Sequence, residues 1–160
     1  MQLFYTSLLK LKGSQMSITE FLSQDHKACD EIFATLEQSM NDESWNDALE
    51  GYVQFRNEMQ HHFDMEEKVM FPAFEEKTGM QGSGPTQMMR IEHEQMRGMI
   101  DELGQAVNNK DKNRFFDVSE TLMMMIQQHN SKEEQMLYRM ADRQLGDEAL
   151  DIVSEMESVV

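Results

Sequence analysis

A shift of 67 residues carries His26 onto His93 and His62 onto His129, and the same shift carries Glu66 onto Glu133 and Glu67 onto Glu134. Apolar positions obey it too. Leu22 falls on Met89, Phe33 on Ile100, Leu36 on Leu103, Phe55 on Leu122, Met59 on Ile126, Met70 on Leu137 and Phe71 on Tyr138. A repeat that preserves polar and apolar positions together describes two copies of one structural unit. Two such units bury their apolar faces against each other most simply about an approximate two-fold axis.

Each copy reads as a helical hairpin, because apolar residues recur with a period near 3.6 and the chain has few prolines or glycines between them. Ser17-Ile18-Thr19-Glu20 has the form of a capping box. A helix from there to about Met40 carries Phe21, Leu22, Cys29, Ile32, Phe33 and Leu36 on one stripe. After the turn residues Asn41 to Ser44, a second helix is predicted from about Trp45 towards Lys77, with Phe55, Met59, Phe63 and Val69 inward. Pro72 is expected to kink it or to end its regular part. Thr78 to Pro85, with Gly79, Gly82 and Gly84, reads as a loop. Pro85 suits the first turn of a third helix ending near Asn108. Asn109 to Asp111 turn the chain into a fourth helix reaching about Leu145. Gly146 stops that helix, and Asp147 is expected to cap a short terminal one. No segment alternates with the period of a strand. The expected fold is all-α: an up-down-up-down four-helix bundle over residues 17–146 with internal pseudo-two-fold duplication. A short C-terminal helix (147–160) and an N-terminal arm (1–16) complete the plan.

Thirty acidic residues against fourteen basic ones give a net charge of −16, which repels nucleic-acid backbones and anionic membranes alike. No apolar run approaches the ~20 residues needed to span a bilayer. The apolar run from Leu3 to Leu9 lacks a basic leading region and a small-residue cleavage site. With one cysteine, Cys29, no internal disulfide forms. The expectation is a soluble, cytoplasmic protein that binds neither nucleic acid nor membrane.

The polar repeat has a geometric meaning. In His62-x-x-x-Glu66 and His129-x-x-x-Glu133 the two side chains are ~40° apart around the helix axis and ~6 Å apart along it, so they face one way. Phe55 and Met59 share the face of His62, and Leu122 and Ile126 that of His129, which aims these groups at the interior. His26 and His93 come from the other two helices at about the same depth. Four imidazoles and two carboxylates buried together would be costly, several kcal/mol for each ionised carboxylate left unpaired. Two divalent cations bridged by Glu66 and Glu133 would offset that cost. Imidazole with carboxylate suits iron better than calcium or magnesium, with manganese, zinc and cobalt chemically admissible.

With these pieces in view, the sequence resembles the hemerythrin-like (HHE cation-binding) family. The matching segments are Asp25-His26, His61-His62-Phe63-Asp64-Met65-Glu66-Glu67 with Phe71-Pro72, Glu92-His93-Glu94, and His129-Asn130-Ser131-Lys132-Glu133-Glu134 with Leu137-Tyr138. The resemblance implies a four-helix bundle with a non-haem di-iron centre, two iron ions with an oxo or hydroxo bridge, held by His26, His62, Glu66, His93, His129 and Glu133. It also implies a small diatomic ligand, dioxygen or nitric oxide, for storage, sensing or scavenging. The alternative it offers is a di-iron enzyme acting on peroxide or nitric oxide, or an iron donor in iron–sulfur cluster repair. Oxygen-carrying hemerythrins have a further histidine where this chain has Arg97, and their last acidic ligand falls at the position of Glu134. Glu133 is preferred here, since a five-residue step swings a side chain ~140° away on a regular helix. The four-histidine, two-glutamate set is similar to the di-iron domain of iron–sulfur-centre repair proteins.

The remaining polar residues have plainer expected roles. His61 points ~100° away from His62 and is expected to lie at the surface or to support a neighbouring imidazole. Glu67 and Glu134 read as outward charges with the option of holding an imidazole by its second N–H. Asp30 and Arg97, also 67 apart, read as a surface charge pair, or more sharply as an ion pair limiting ligand access. Cys29 is expected to fill core space. So are the seventeen methionines, which would also suit a gas-accessible pocket, take up oxidant or bind copper(I). Phe71 and Tyr138 are expected to pack at the ends of the metal layer without a chemical role.

Overall fold

The first helix starts where the capping pattern placed it. In the computed structural model, which describes residues 16–160, Ser17 Oγ accepts the Glu20 N–H at 3.1 Å while Glu20 Oε2 accepts the Ser17 N–H at 3.1 Å. Apart from Met16, the arm expected over residues 1–16 lies outside the described residues. The next two orphan amides of this helix, Ile18 and Thr19, donate to the Asp142 carboxylate at 2.8 and 3.1 Å. An acid at a helix N-terminus is favoured by the helix dipole, and this one ties the start of the first rod to the end of the fourth.

Helix α1 spans Ile18–Asn41. The second rod consists of α2 (Trp45–Met65), one π-helical turn (Glu66–Met70) and α3 (Phe71–Thr78). Helix α4 spans Pro85–Asn108. The fourth rod repeats the second, with α5 (Lys112–Lys132), a π-helical turn (Glu133–Leu137) and α6 (Tyr138–Leu145). A 3-10 turn (Gly146–Glu148) leads into α7 (Ala149–Glu157). The fold is thus an all-α bundle of four long rods, and every boundary of the first hairpin recurs 67 residues later in the second. Even the two non-glycine residues in the left-handed region, Glu43 (φ 57°) and Lys110 (φ 54°), obey the shift. The chain reverses at these turns under one shared backbone solution.

Two local expectations need correction. The irregularity in the second rod begins at Glu66, six residues before Pro72, and recurs at Glu133 where no proline follows. Proline is therefore not its cause. Pro72 lies in the first turn of α3, where its missing N–H has little consequence. Asp147 does not cap the last helix either: it belongs to the 3-10 turn, and Glu148 precedes α7 without a side-chain cap.

Apolar residues gather into two cores rather than one. Phe33, Leu36, Phe55, Ile100, Leu103, Phe115 and Leu122 fill the end of the bundle near the inter-helix turns. Ile18, Leu22, Phe74, Met89, Leu137 and Leu145 fill the other end, where Ile152, Val153 and Met156 of α7 close it over. His61 Nε2 and the Val159 carbonyl lie 3.0 Å apart, which pins the segment after α7 and gives His61 a structural role away from the interior. Between the two cores lies a polar layer of buried His26, His62, Glu66, His93, His129 and Glu133.

Helix α4 packs against α2 at Gly104, where an added Cβ would fall on the Tyr52 ring, 2.8 Å from its Cε1. Gly104→Ala is expected to destabilise the fold by about 1–3 kcal/mol through overpacking, despite alanine's better helix propensity. A urea unfolding midpoint at or above the parent's would show that the helices separate freely there.

Candidate metal centre

All six side chains expected to share one layer do so, and they form two overlapping groups. His26, His62, Glu66 and Glu133 are one; Glu66, His93, His129 and Glu133 are the other, with ligand atoms in each within 4.8 Å of one another. The glutamates belong to both. The π-helical turns account for the arrangement, because each begins at the shared glutamate. A π turn inserts one residue into the helical repeat, so the residue five places on arrives on the face that four places would normally reach. That brings Phe71 behind Glu66 and Tyr138 behind Glu133.

Every imidazole is held by a carboxylate on a different helix. His62 Nδ1 donates to Asp25 at 2.7 Å, and its repeat partner His129 to Glu92 at 2.7 Å. His26 Nδ1 donates to Glu134 at 2.8 Å, and His93 Nδ1 to Glu67 at 2.7 Å. Asp25 and Glu92 are themselves 67 apart, so this outer ring follows the duplication as closely as the inner one. A carboxylate only accepts, which puts the hydrogen on Nδ1 and leaves the Nε2 lone pair of each neutral imidazole facing inward. Glu134 therefore orients His26 from outside while Glu133 lies within.

The inner atoms stand at the spacing of ligands around an ion. His26 Nε2 and His62 Nε2 are 3.1 Å apart, and His93 Nε2 and His129 Nε2 3.2 Å. A first-row divalent ion binds imidazole nitrogen at about 2.1 Å, so two such bonds at a right angle hold their nitrogens about 3.0 Å apart. Glu133 Oε2 lies 3.1 Å from His26 Nε2, and its Oε1 2.9 Å from His129 Nε2. Glu66 Oε2 is 3.1 Å from His93 Nε2 and 3.5 Å from His62 Nε2. With the imidazoles neutral, lone pair faces lone pair at these contacts, and a cation must stand between them, a metal ion or, in its absence, a proton on Nε2. Glu66 Oε2 and Glu133 Oε1 are fully buried and have no donor among the described residues. Two orphaned carboxylate oxygens at the meeting point of four imidazoles match the donor set of a metal pair.

Metal-free, the same field draws protons. Burial is the largest influence on His93 and pushes its pKa down, yet hydrogen bonds with Glu133, Glu66 and Glu67 outweigh it and carry the imidazole up to about 10. His62 and His129 are likewise raised, against burial, by Glu66 and Asp25 in the first case and by Glu133 in the second. Burial and mutual repulsion push Glu66 and Glu133 up, but the surrounding histidines prevail and hold both carboxylates below their usual range. The centre holds negative charge and calls for cations, protons or metal.

Tyr138, expected to have no chemical role, enters the site, and Arg97 reaches it through a partner other than the expected one. Tyr138 Oη donates within a cluster formed by Glu66 Oε1 at 2.5 Å, Glu133 Oε2 at 2.7 Å and His26 Nε2 at 3.1 Å. Arg97 Nη2 donates to Glu67 Oε2 at 3.1 Å, and its guanidinium lies over Phe63, 5.0 Å from the ring centre. Arg97 also pairs with Glu94 but not with Asp30, so the expected Asp30–Arg97 pair does not form. Hydrogen bonds from His93 and Arg97 overcome the upward push of burial and hold Glu67 down at about 2. Cys29 is buried, and that burial pushes its thiol up to about 12, as suits a filler.

The model of the hemerythrin HHE cation-binding domain matches residues 17–141, most of the chain. The chain belongs to the hemerythrin HHE cation-binding family. No curated protein and no solved structure matches it. As a hemerythrin-like metal-binding protein it carries the family's domain on all four rods, with His and Glu groups able to hold metal ions at their centre. No helix among the described residues is long and apolar enough to cross a membrane.

Because His93 titrates near 10 without metal against about 6.5 unfolded, its charged form adds stability that is complete below pH 6.5 and lost as pH rises towards 10. Chelator-treated protein is expected to lose urea resistance between pH 6.5 and 9.5. Metal uptake near pH 7 is expected to release protons and to tighten as pH rises, since metal displaces those protons. A pH-indicator titration in weak buffer that shows no proton release on metal addition would contradict this.

Proposed function

We propose that this hemerythrin-like protein holds two iron ions through His26, His62, Glu66, His93, His129 and Glu133 and binds dioxygen or nitric oxide there, for storage, sensing or scavenging. The orphaned pair Glu66 Oε2 and Glu133 Oε1 is the observation that carries the reading, since the atoms nearest to them are imidazole Nε2 atoms, the partners with which they would share an ion. His26 and His62 would hold one ion, His93 and His129 the other, with both glutamates bridging. Imidazole and carboxylate favour iron among the first-row metals, and manganese, zinc and cobalt are the competitors to exclude. A reduced iron pair supplies reversible electron donation to a diatomic gas.

The chain's own residues make the two positions accessible to different degrees. Beside His26 and His62 lies a cavity of ≈ 10 Å³ walled by Cys29, Phe33, Met59 and Met123. That volume is about the least that admits one small molecule, and its mostly apolar wall, to which Asp30 and Asn130 add polar groups, favours an uncharged gas over an anion. The other position is backed by Arg97 through Glu67 and His93. The repeat counterpart of Arg97 is the exposed Asp30, which offers no guanidinium to brace Glu134. Diatomic ligands are therefore expected to approach the centre from the His26–His62 side.

Elemental analysis of protein purified without added metal is expected to give two irons per chain. His62→Ala and Glu66→Ala are expected to lose metal and to melt at lower temperature, because buried acids then stay uncompensated. Unchanged metal content in Glu66→Ala would refute its place as a ligand. Stopped-flow mixing of the reduced iron-loaded protein with dioxygen or nitric oxide is expected to change its visible spectrum; indifference to both gases would end the gas-binding reading.

A further inference from the structure

Tyr138 breaks the two-fold symmetry at the point where the rest of the site keeps it most strictly. Its repeat partner is Phe71, and each ring stacks on its own histidine in the same manner: Tyr138 on His26 with ring centres 5.7 Å apart, Phe71 on His93 with centres 5.8 Å apart. The difference between the two rings is one buried oxygen atom. That atom lies 3.1 Å from His26 Nε2, the same separation that relates His26 to His62 across their shared position. It also meets Glu66 Oε1 and Glu133 Oε2, whereas the orphaned oxygens, Glu66 Oε2 and Glu133 Oε1, lie against His93 and His129. One half of the centre thus has a further oxygen within 3.1 Å of a histidine nitrogen and of an oxygen from each glutamate, and the other half has none at the equivalent place.

We propose that Tyr138 Oη is a fifth protein ligand to the ion held by His26 and His62, making the two ion positions chemically unlike. The inference rests on the di-iron reading above and deepens it. In the metal-free protein the phenol O–H points into the pair of carboxylate oxygens Glu66 Oε1 and Glu133 Oε2. A ferric ion displaces that proton, as bound cations do for their own ligands: the O–H bond is exchanged for an oxygen–iron bond and the proton leaves to solvent. The opposite role, a hydrogen-bond donor to the two glutamates, makes a contrary prediction. Such a phenol competes with the ion for Glu66 Oε1 and Glu133 Oε2, so its removal would leave metal binding unchanged or tighter. Phe71 shows that a phenyl ring is accommodated at the equivalent place, so Tyr138→Phe keeps the packing while deleting the oxygen.

The test loads the parent protein and Tyr138→Phe anaerobically with ferrous iron, counts bound ions by elemental analysis after dialysis against graded chelator, and then records visible spectra after oxidation. The parent is expected to bind two irons of unequal affinity and to show the broad visible absorption of a ferric phenolate. Tyr138→Phe is expected to lack that band and to hold one of its two irons at least about tenfold more weakly, comparable with the loss of a supporting group at a metal site. Two irons of unchanged or tighter affinity in the variant, with the parent's spectrum, would overturn the assignment while leaving the di-iron reading intact. A parent that retains no iron would overturn both.

Discussion

Two buried carboxylates, each with one oxygen that no hydrogen-bond donor among the described residues reaches, are the constraint around which this bundle is arranged. Glu66 and Glu133 project into the middle of the protein between two apolar cores, and the four imidazoles nearest to them have their N–H groups turned outward to other acids. An uncompensated ionised carboxylate at such depth destabilises a fold by several kcal/mol. The structure tolerates two because the site is a receptacle for positive charge. The acid ring of Asp25, Glu67, Glu92 and Glu134 reinforces this, since it fixes each imidazole's tautomer and strengthens its inward lone pair.

The π-helical turns connect that chemistry to the backbone. Each begins at a shared glutamate, and each lets one rod present a histidine, a glutamate and an aromatic ring to the same layer. On an unbroken α-helix the aromatic residue five places beyond the glutamate would point well away from the site. Such turns occur frequently at functional sites, and their appearance at equivalent places in both halves ties them to the glutamates and not to Pro72. The short helix α7 and the contact between His61 and Val159 then close the apolar end nearest the π turns.

Much of this was legible in the amino-acid order. The 67-residue shift alone paired the histidines and glutamates, and helix geometry put His62 with Glu66 and His129 with Glu133 on one face. The acid ring was less visible. Asp25 and Glu92 stand one residue before a histidine, about 100° away from it on their own helix, and their partners His62 and His129 lie across an interhelical gap whose register a single sequence does not specify. The shift does pair Asp25 with Glu92, and that was the available signal. Tyr138 was hidden for a different reason. Regular α-helical spacing turns its side chain away from Glu133, and only the π turn, which leaves no mark in apolar periodicity, brings its hydroxyl into the centre. Arg97 was found by its offset from Asp30, but its real partner, Glu67, belongs to a neighbouring rod.

The central claim, that the inward atoms of Glu66, Glu133 and the four histidines enclose a pair of iron ions, is tested most directly by anomalous diffraction at the iron edge from crystals of the iron-loaded protein. Two peaks are expected, one between His26 and His62 and one between His93 and His129, with Glu66 and Glu133 reaching both. An empty central layer, or iron bound only among the surface acids, would contradict it.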